Sequence, residues 1–221
     1  MIIASLLLSI CGFHSPAKAT PAPIPATPIA SYSFSGISDL APTMGLLPSS
    51  SYVQYTQALT GYYALMPLGY EAGHIDTIVA SQNTVLFSNN KQTGVPQAKD
   101  LFGAWSQPVN IATTVLKDVS TGGYSVNLGG VPSFPTLLGT EASSSHLSIF
   151  KLTKDVLFKP AGLTPYTMKA GTLIIGLDDN AAHFDRDDFV LAAKATPIPG
   201  AAWLLASGLI GLVGLRRRFS R

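Results

Sequence analysis

Between Ser31 and Ala195 the chain divides into short runs of apolar and β-branched residues mixed with polar ones, separated by Gly, Pro, Asn and Ser. These read as strands over "SYSFSGI" (31–37), "TIVAS" (77–81), "NTVLFSN" (83–89), "NIATTVLKDV" (110–119), "GYSVNL" (123–128), "HLSIFKLT" (146–153), "TLIIGLD" (172–178) and "DFVLAAKA" (188–195). Val, Ile, Thr and aromatic side chains suit a pleated, half-buried surface. Asn89-Asn90, Gly122-Gly123, Gly129-Gly130 and Pro132-Ser133 punctuate the runs. In "HLSIFKLT", Leu147 and Ile149 alternate and Leu152 follows a slip at Phe150, which predicts one buried face. "SYVQYTQALTGYYALM" (51–66) is the one stretch of this region whose pattern suits a short helix. No repeat of fixed period is present. Many short strands with little helix predict a mainly β body over 31–195, an antiparallel β-sandwich or jelly roll.

The two ends follow other rules. Ile2 to Phe13 is a twelve-residue apolar stretch, too short to cross a hydrocarbon layer of ~30 Å but suited to the helical core of a signal peptide. Ala17-Lys18-Ala19 supplies the small-x-small pattern that signal peptidase accepts, so residues 1–19 are expected to be removed after Ala19. No Lys or Arg precedes the apolar core, and a buried N-terminal strand or helix is the other reading of this segment. Cys11 is the only cysteine, and Ile10 stands before it where a lipoprotein signal needs a small residue. The expected mature chain has no thiol and depends on its core alone. "TPAPIPATPIA" (20–30), with four prolines in eleven residues, reads as an extended linker.

At the other end, Ile198 to Leu215 is eighteen residues without a charge, roughly 27 Å as a helix and barely a span. Arg216, Arg217 and Arg218 follow directly. The positive-inside rule keeps such a cluster cytoplasmic, so an exported body would face the periplasm. Gly208, Gly211 and Gly214, with Ser207, leave a narrow face where another helix can approach, and Trp203 lies near the outer boundary. A buried amphipathic helix fits poorly, because the run has no polar face.

These ends alter the picture given by composition. The 47% hydrophobic and 12% charged residues, and the net charge of +2, belong to all 221 residues. Between Thr20 and Gly200 there are nine Lys or Arg against all twelve acids, a net charge of −3. Nucleic-acid binding, which wants a basic face interleaved with aromatics, has no support.

The tail resembles the PEP-CTERM sorting signal of Gram-negative bacteria, in the branch whose signature reads Val-Pro-Leu-Pro-Ala. The matching residues are Pro197, Ile198, Pro199, Gly200, Ala201, Ala202, Trp203, Leu204, Leu205, Ser207, Gly208, Leu209, Gly211, Leu212, Gly214 and Leu215, then Arg216 to Arg218. Thr196 stands where Val is usual and Gly200 where Ala is usual. Pro197 and Pro199 still hold the backbone extended just outside the bilayer. The resemblance covers about an eighth of the chain, residues 196–221. It implies that an exosortase, a membrane-embedded cysteine protease, cuts at Pro197-Ile198-Pro199-Gly200 and passes the body onward to the surface. It also implies company with exopolysaccharide and biofilm assembly.

Five of the twelve acids crowd into "GLDDNAAHFDRDDFV": Asp178, Asp179, Asp185, Asp187 and Asp188, at the tip of a predicted β-loop-β hairpin. They repel one another, and Arg186 offsets one. A hard dication with six to eight oxygen ligands would resolve the repulsion, although this is not EF-hand spacing. A solvated acidic turn with local Asp-to-backbone hydrogen bonds is the other reading. The hairpin is similar to the "G-[FLW]-E-D … D-x-D-[YF]-[DN]-D-[MFL]-V" ending of an exported bacterial β-domain of unassigned function. Gly176, Leu177, Asp178, Asp179, Asp185, Asp187, Asp188, Phe189 and Val190 carry the match; His183 and Arg186 depart from it. "GYEAGHIDTI" (69–78) resembles the opening "E-A-G-x-x-N-T" of that domain, with Asp76 for Asn. His183 and Arg186 both weaken a calcium site.

Nothing marks an enzyme. There is no Gly-x-Ser-x-Gly elbow, no His-Glu-x-x-His and no P-loop. His74, His146 and His183 are far apart and read as surface or structural residues; Glu71 with His74 and Asp179 with His183 are weak pairings. The expectation is therefore a non-enzymatic, structural or adhesive exported protein. It would be held at the inner membrane as a precursor and then sorted to the cell surface or extracellular matrix. One alternative is a calcium-dependent glycan-binding module, with Tyr52, Tyr55, Tyr62, Tyr63 and Trp105 stacking on sugar rings or else filling the core. The second alternative is a secreted glycan-active enzyme, since Glu71 and a loop aspartate could flank a cleft.

Overall fold

A computed structural model of the chain describes residues 27–28, 32–35, 47–71, 74–120, 125–132, 146–178 and 188–196. Among them the strands are β1 (Thr27–Pro28), β2 (Tyr52–Gln54), β3 (Tyr62–Gly69), β4 (Asp76–Val79), β5 (Val85–Ser88), β6 (Val109–Asn110), β7 (Val115–Asp118), β8 (Ser125–Asn127), β9 (Leu147–Leu152), β10 (Val156–Phe158), β11 (Tyr166–Met168), β12 (Leu173–Leu177) and β13 (Phe189–Ala195). The only helical elements among the described residues are short 3₁₀ turns, so the body is mainly β. The larger sheet has the order β2-β9-β12-β13-β3-β6, and a four-stranded sheet has the order β5-β4-β7-β8; both are antiparallel. β10 and β11 form an antiparallel pair, which β1 joins in parallel along β10.

The six-stranded sheet is apolar on both faces, which explains where the sequence pattern misled. In β9, Leu147 and Ile149 belong to one buried cluster, while Phe150 and Leu152 belong to another. The two-residue period is unbroken: there is no slip at Phe150, and two faces are covered instead of the single face expected. One cluster joins Leu65, Ile149, Ile175 and Leu191 to Ile78, Phe87, Leu116 and Val126 of the four-stranded sheet. The other joins Met66, Phe150, Ile174 and Val190 to Val156, Phe158 and Met168 of β10 and β11. Each such fully buried side chain contributes roughly 1.5–3 kcal/mol of apolar transfer free energy.

The helix expected over 51–66 is a strand–turn–strand instead: β2, a connection, and the start of β3. Tyr, Val and Thr favour the extended chain here, and Gly61 turns it at a φ of +91°. "ALMPL" resembles a helix segment because it is continuously apolar, but continuous apolarity is also what a strand buried on two faces requires. Pro67 fits because β6 pairs only with Tyr62 and Tyr63. Further along the same edge Ser106 takes over, its Oγ accepting from the Leu65 N–H at 2.9 Å and its N–H donating to the Leu65 carbonyl at 2.8 Å. Pro67, two residues on, directs its nitrogen to that same side, where no ladder bond is needed.

Within the Pro-rich stretch 20–30, Thr27 and Pro28 pair with Val156 and Leu157. Tyr32 continues this attachment, its N–H donating to the Lys159 carbonyl at 3.2 Å and its hydroxyl to the Leu68 carbonyl at 2.8 Å. Phe34 then enters the core, edge-on to Tyr70 and Phe102. The predicted signal peptide, the apolar run 198–215 and the arginines that follow it lie outside the described residues.

Candidate functional site

Antiparallel β12 and β13 form the expected hairpin, with Leu177 opposite Phe189. Asp178 and Asp188 are the next residue of each strand, so their backbones stand at the hairpin's mouth. Phe189 fixes it there, fully buried, with its ring 5.9 Å from Phe87 and 6.2 Å from Tyr70. Asp178 is fully buried. Its N–H donates to the His146 carbonyl at 3.0 Å, and its Oδ2 lies 3.3 Å from His146 Nδ1. A buried carboxylate needs donors or a counter-charge, and the β9–β12 register, with Leu147 opposite Leu177, brings the imidazole to it. Asp188 is partly exposed. Asp179, Asp185, Asp187 and His183 lie outside the described residues, so two of the five predicted metal ligands are placed.

A second pair of carboxylates lies in the four-stranded sheet. Asp76 and Asp118, both buried, are register partners across β4 and β7. Directly opposed like charges repel, and polar neighbours surround these two. Asn89 Oδ1 accepts from the Asp76 N–H at 2.9 Å, while Asn89 Nδ2 donates to the His74 carbonyl at 2.9 Å and to Asp76 Oδ2 at 3.3 Å. Asp118 Oδ1 accepts from the Ser120 N–H at 2.7 Å and hydroxyl at 2.6 Å. His74 Nδ1 lies 3.1 Å from Ser120 Oγ and 3.8 Å from Asp118 Oδ2. Among the described contacts His74 thus faces Asp118 and Ser120, whereas the sequence suggested Glu71.

His146 also lines a cleft of about 340 Å³ with Ser125, Val126, Asn127, Gly130, Val131 and Leu147. Its side chain is only 14% exposed. A carboxylate behind an imidazole fixes the ring's orientation. In the described lining Ser125 brings a hydroxyl, while the Asn127 amide already accepts from the Gly129 N–H at 2.8 Å and donates to the Ala112 carbonyl at 3.1 Å. Sequence reasoning missed this pairing, whose members are 32 residues apart. Among the described residues, no group of three or more His, Cys, Asp or Glu comes together in a way that could hold a metal ion. Of the two placed ligands, Asp178 faces the His146 imidazole and Asp188 is partly exposed.

Of the five aromatics considered for sugar stacking, four pack inward. Tyr52 stands edge-on to Phe150 at 5.0 Å, and Tyr55 and Tyr63 rest on the core. Trp105 packs on the second cluster and donates its Nε1–H to the Tyr166 hydroxyl at 3.0 Å. Burial raises the Tyr52 phenol above its usual range and, with the Tyr55 charge as a smaller cause, raises Tyr63. Tyr62 is 55% exposed.

No family model, curated protein or solved structure matches the chain. The predicted signal-peptidase residues Ala17 and Ala19, the motif Pro197 to Gly200 and the arginines Arg216 to Arg218 lie outside the described residues. Among the described residues no helix is long and apolar enough to cross a membrane.

Proposed function

We propose that the chain is an exported protein whose PEP-CTERM-like tail delivers a structural or adhesive body to the cell surface or extracellular matrix. Its partners are signal peptidase at Ala19, an exosortase-like protease at Pro197 to Gly200, and exopolysaccharide outside. The body is a layered β-sandwich, with the six-stranded sheet between two smaller sheets. One observation carries the reading. β13 ends at Ala195, and the Thr196 N–H and hydroxyl both donate to the Tyr62 carbonyl, at 2.9 and 3.0 Å. Pro197 follows and has no N–H to continue the ladder. The described ladder of β13 thus ends next to the proposed cleavage motif, with Thr196 tied back to the sheet.

A glycan platform draws less support, since four of its five aromatics are partly buried against the core. Intact-mass measurement of protein recovered from the native host's envelope and medium tests the sorting reading. A species beginning near Thr20 and ending between Thr196 and Gly200 is expected. A species that keeps Arg216 to Arg221 would leave a single-pass inner-membrane protein, and the sorting reading would fall.

A further inference from the structure

The six-stranded sheet has two chemically unlike ends. Where β3 and β12 finish and β9 and β13 begin stand Asp178 and Asp188. From the same end of β3, the connection 70–75 leads past Glu71 to buried Asp76 at the start of β4. The opposite end, where β9 and β13 finish and β2, β3 and β12 begin, is basic. Lys151 pairs with Leu173, which pairs with Ala193; Lys194 is the next residue of β13. The turn 153–155 adds Lys154, and the turn 169–172 adds Lys169. These two turns are joined to the sheet by the Gly171 N–H to the Leu152 carbonyl and the Thr153 N–H to the Ser51 carbonyl, both 2.8 Å. Lys151, Lys169 and Lys194 are exposed. Asp155 is the carboxylate of these turns and accepts from Lys169 Nζ at 2.7 Å and from the Ala170 N–H at 3.0 Å. That leaves the equivalent of three uncompensated lysines. Around them lie Tyr62 and Val53, each more than half exposed, and Trp105, whose ring centre is 5.2 Å from Lys194 Nζ.

The chain leaves the sheet at this same end. Thr196 is tied to Tyr62, and Pro197 alone separates it from the charge-free run that begins at Ile198. At roughly 3.5 Å per residue, this end is held within about 10 Å of that run, a distance comparable to the Debye length. We infer that Lys151, Lys154, Lys169 and Lys194, with Tyr62 among them, form a docking face for the anionic headgroups of the bilayer in which the tail is anchored. The inference rests on the anchored precursor of the preceding subsection. Lysines near an anionic surface are attracted to it, and a tyrosine ring prefers the headgroup level. At the far end, exposed Glu71 and partly exposed Asp188 are repelled. The precursor thus stands upright, acidic end outermost, with the cleavage motif at the membrane surface.

The test uses the full chain reconstituted in vesicles of phosphatidylcholine alone or mixed with phosphatidylglycerol, with lysine acylation read by peptide mass spectrometry. In the mixed vesicles Lys151, Lys154, Lys169 and Lys194 should label about fivefold more slowly than in phosphatidylcholine, and high salt should remove the difference. Lys91 and Lys117 should label alike in both. Changing Lys151→Gln, Lys154→Gln and Lys194→Gln together should return Lys169 to its phosphatidylcholine rate. Equal labelling of the four lysines on chain that floats with the vesicles overturns the docking face but keeps the anchor. Chain that fails to float overturns the anchor and the docking face together. Protection by a soluble polyuronate but not by vesicles overturns lipid docking in favour of an acidic polysaccharide.

Discussion

Phe189→Ala is the perturbation that bears most directly on how the acidic hairpin is held. Phe189 has no exposed surface and touches two rings from different elements, Phe87 of β5 and Tyr70 after β3, so it ties the six-stranded sheet to the four-stranded one. Truncating a fully buried Phe costs about 3–5 kcal/mol, as lost transfer free energy plus the cavity left behind. β13 is paired on both sides, to β12 and β3, so the site has little freedom to collapse, and about 4 kcal/mol is the working figure. For a chain of this size that corresponds to a fall in melting temperature on the order of 10 °C. Equilibrium urea unfolding of Thr20–Thr196 measures the loss, with half-exposed Val53→Ala as a control expected to stay within about 0.5 kcal/mol. A double-mutant cycle with Phe87→Ala should return a coupling of about 0.5–1.5 kcal/mol for the ring pair. A loss under about 1 kcal/mol with an unchanged m-value would refute the packing argument, and with it the anchoring of the hairpin.

Two further substitutions test other parts of the fold. A Cβ added at Gly129 would lie 2.6 Å from Ala112 Cα, so Gly129→Ala must displace backbone and should cost about 1–3 kcal/mol. Gly130→Ala, whose nearest atom would be the Asn127 oxygen at 3.1 Å, should cost less in the same unfolding assay. Burial holds the Tyr32 phenol above its usual range. Above a pH of about 10 the unfolded chain therefore loses that proton while the folded chain keeps it. Stability is thus full below that pH and falls as the pH rises through the gap between the two values. Tyr32→Phe should reduce this alkaline slope, with a remainder from Tyr52, Tyr63 and Tyr70, and should cost about 1 kcal/mol near neutral pH through the lost bond to the Leu68 carbonyl. An unchanged slope would show that Tyr32 is hydrated in the folded state.

The strands that could be read from the chain are those bounded by turn residues, with apolar positions in excess. β5, β8, β9, β12 and β13 fall inside the expected runs, β4 begins one residue ahead of its run at Asp76, and β7 emerges once Ile111–Thr113 turns as 3₁₀. β3 was hidden because both of its faces are covered, so its apolar residues show no alternation to separate strand from helix. β2, β6, β10 and β11 are two or three residues long, too short for any period. In the candidate site the Asp178–Asp188 hairpin was legible because its two strands are neighbours in the chain. The Asp178–His146 and Asp118–His74 pairings were not, since each depends on a register between strands distant in sequence.

The closure of β13 at Thr196 also fixes how the body bears load. A pull on the tail enters the sheet at the end of a central strand, flanked on both sides by antiparallel partners. If the body is gripped at its far, acidic end, the force runs along β13, and the ladders to β12 and β3 are loaded in shear together. They are not peeled one bond at a time, as an edge strand would be. A body built in this way would resist extraction by the tether proposed above, as an anchored or matrix-embedded protein exposed to flow requires.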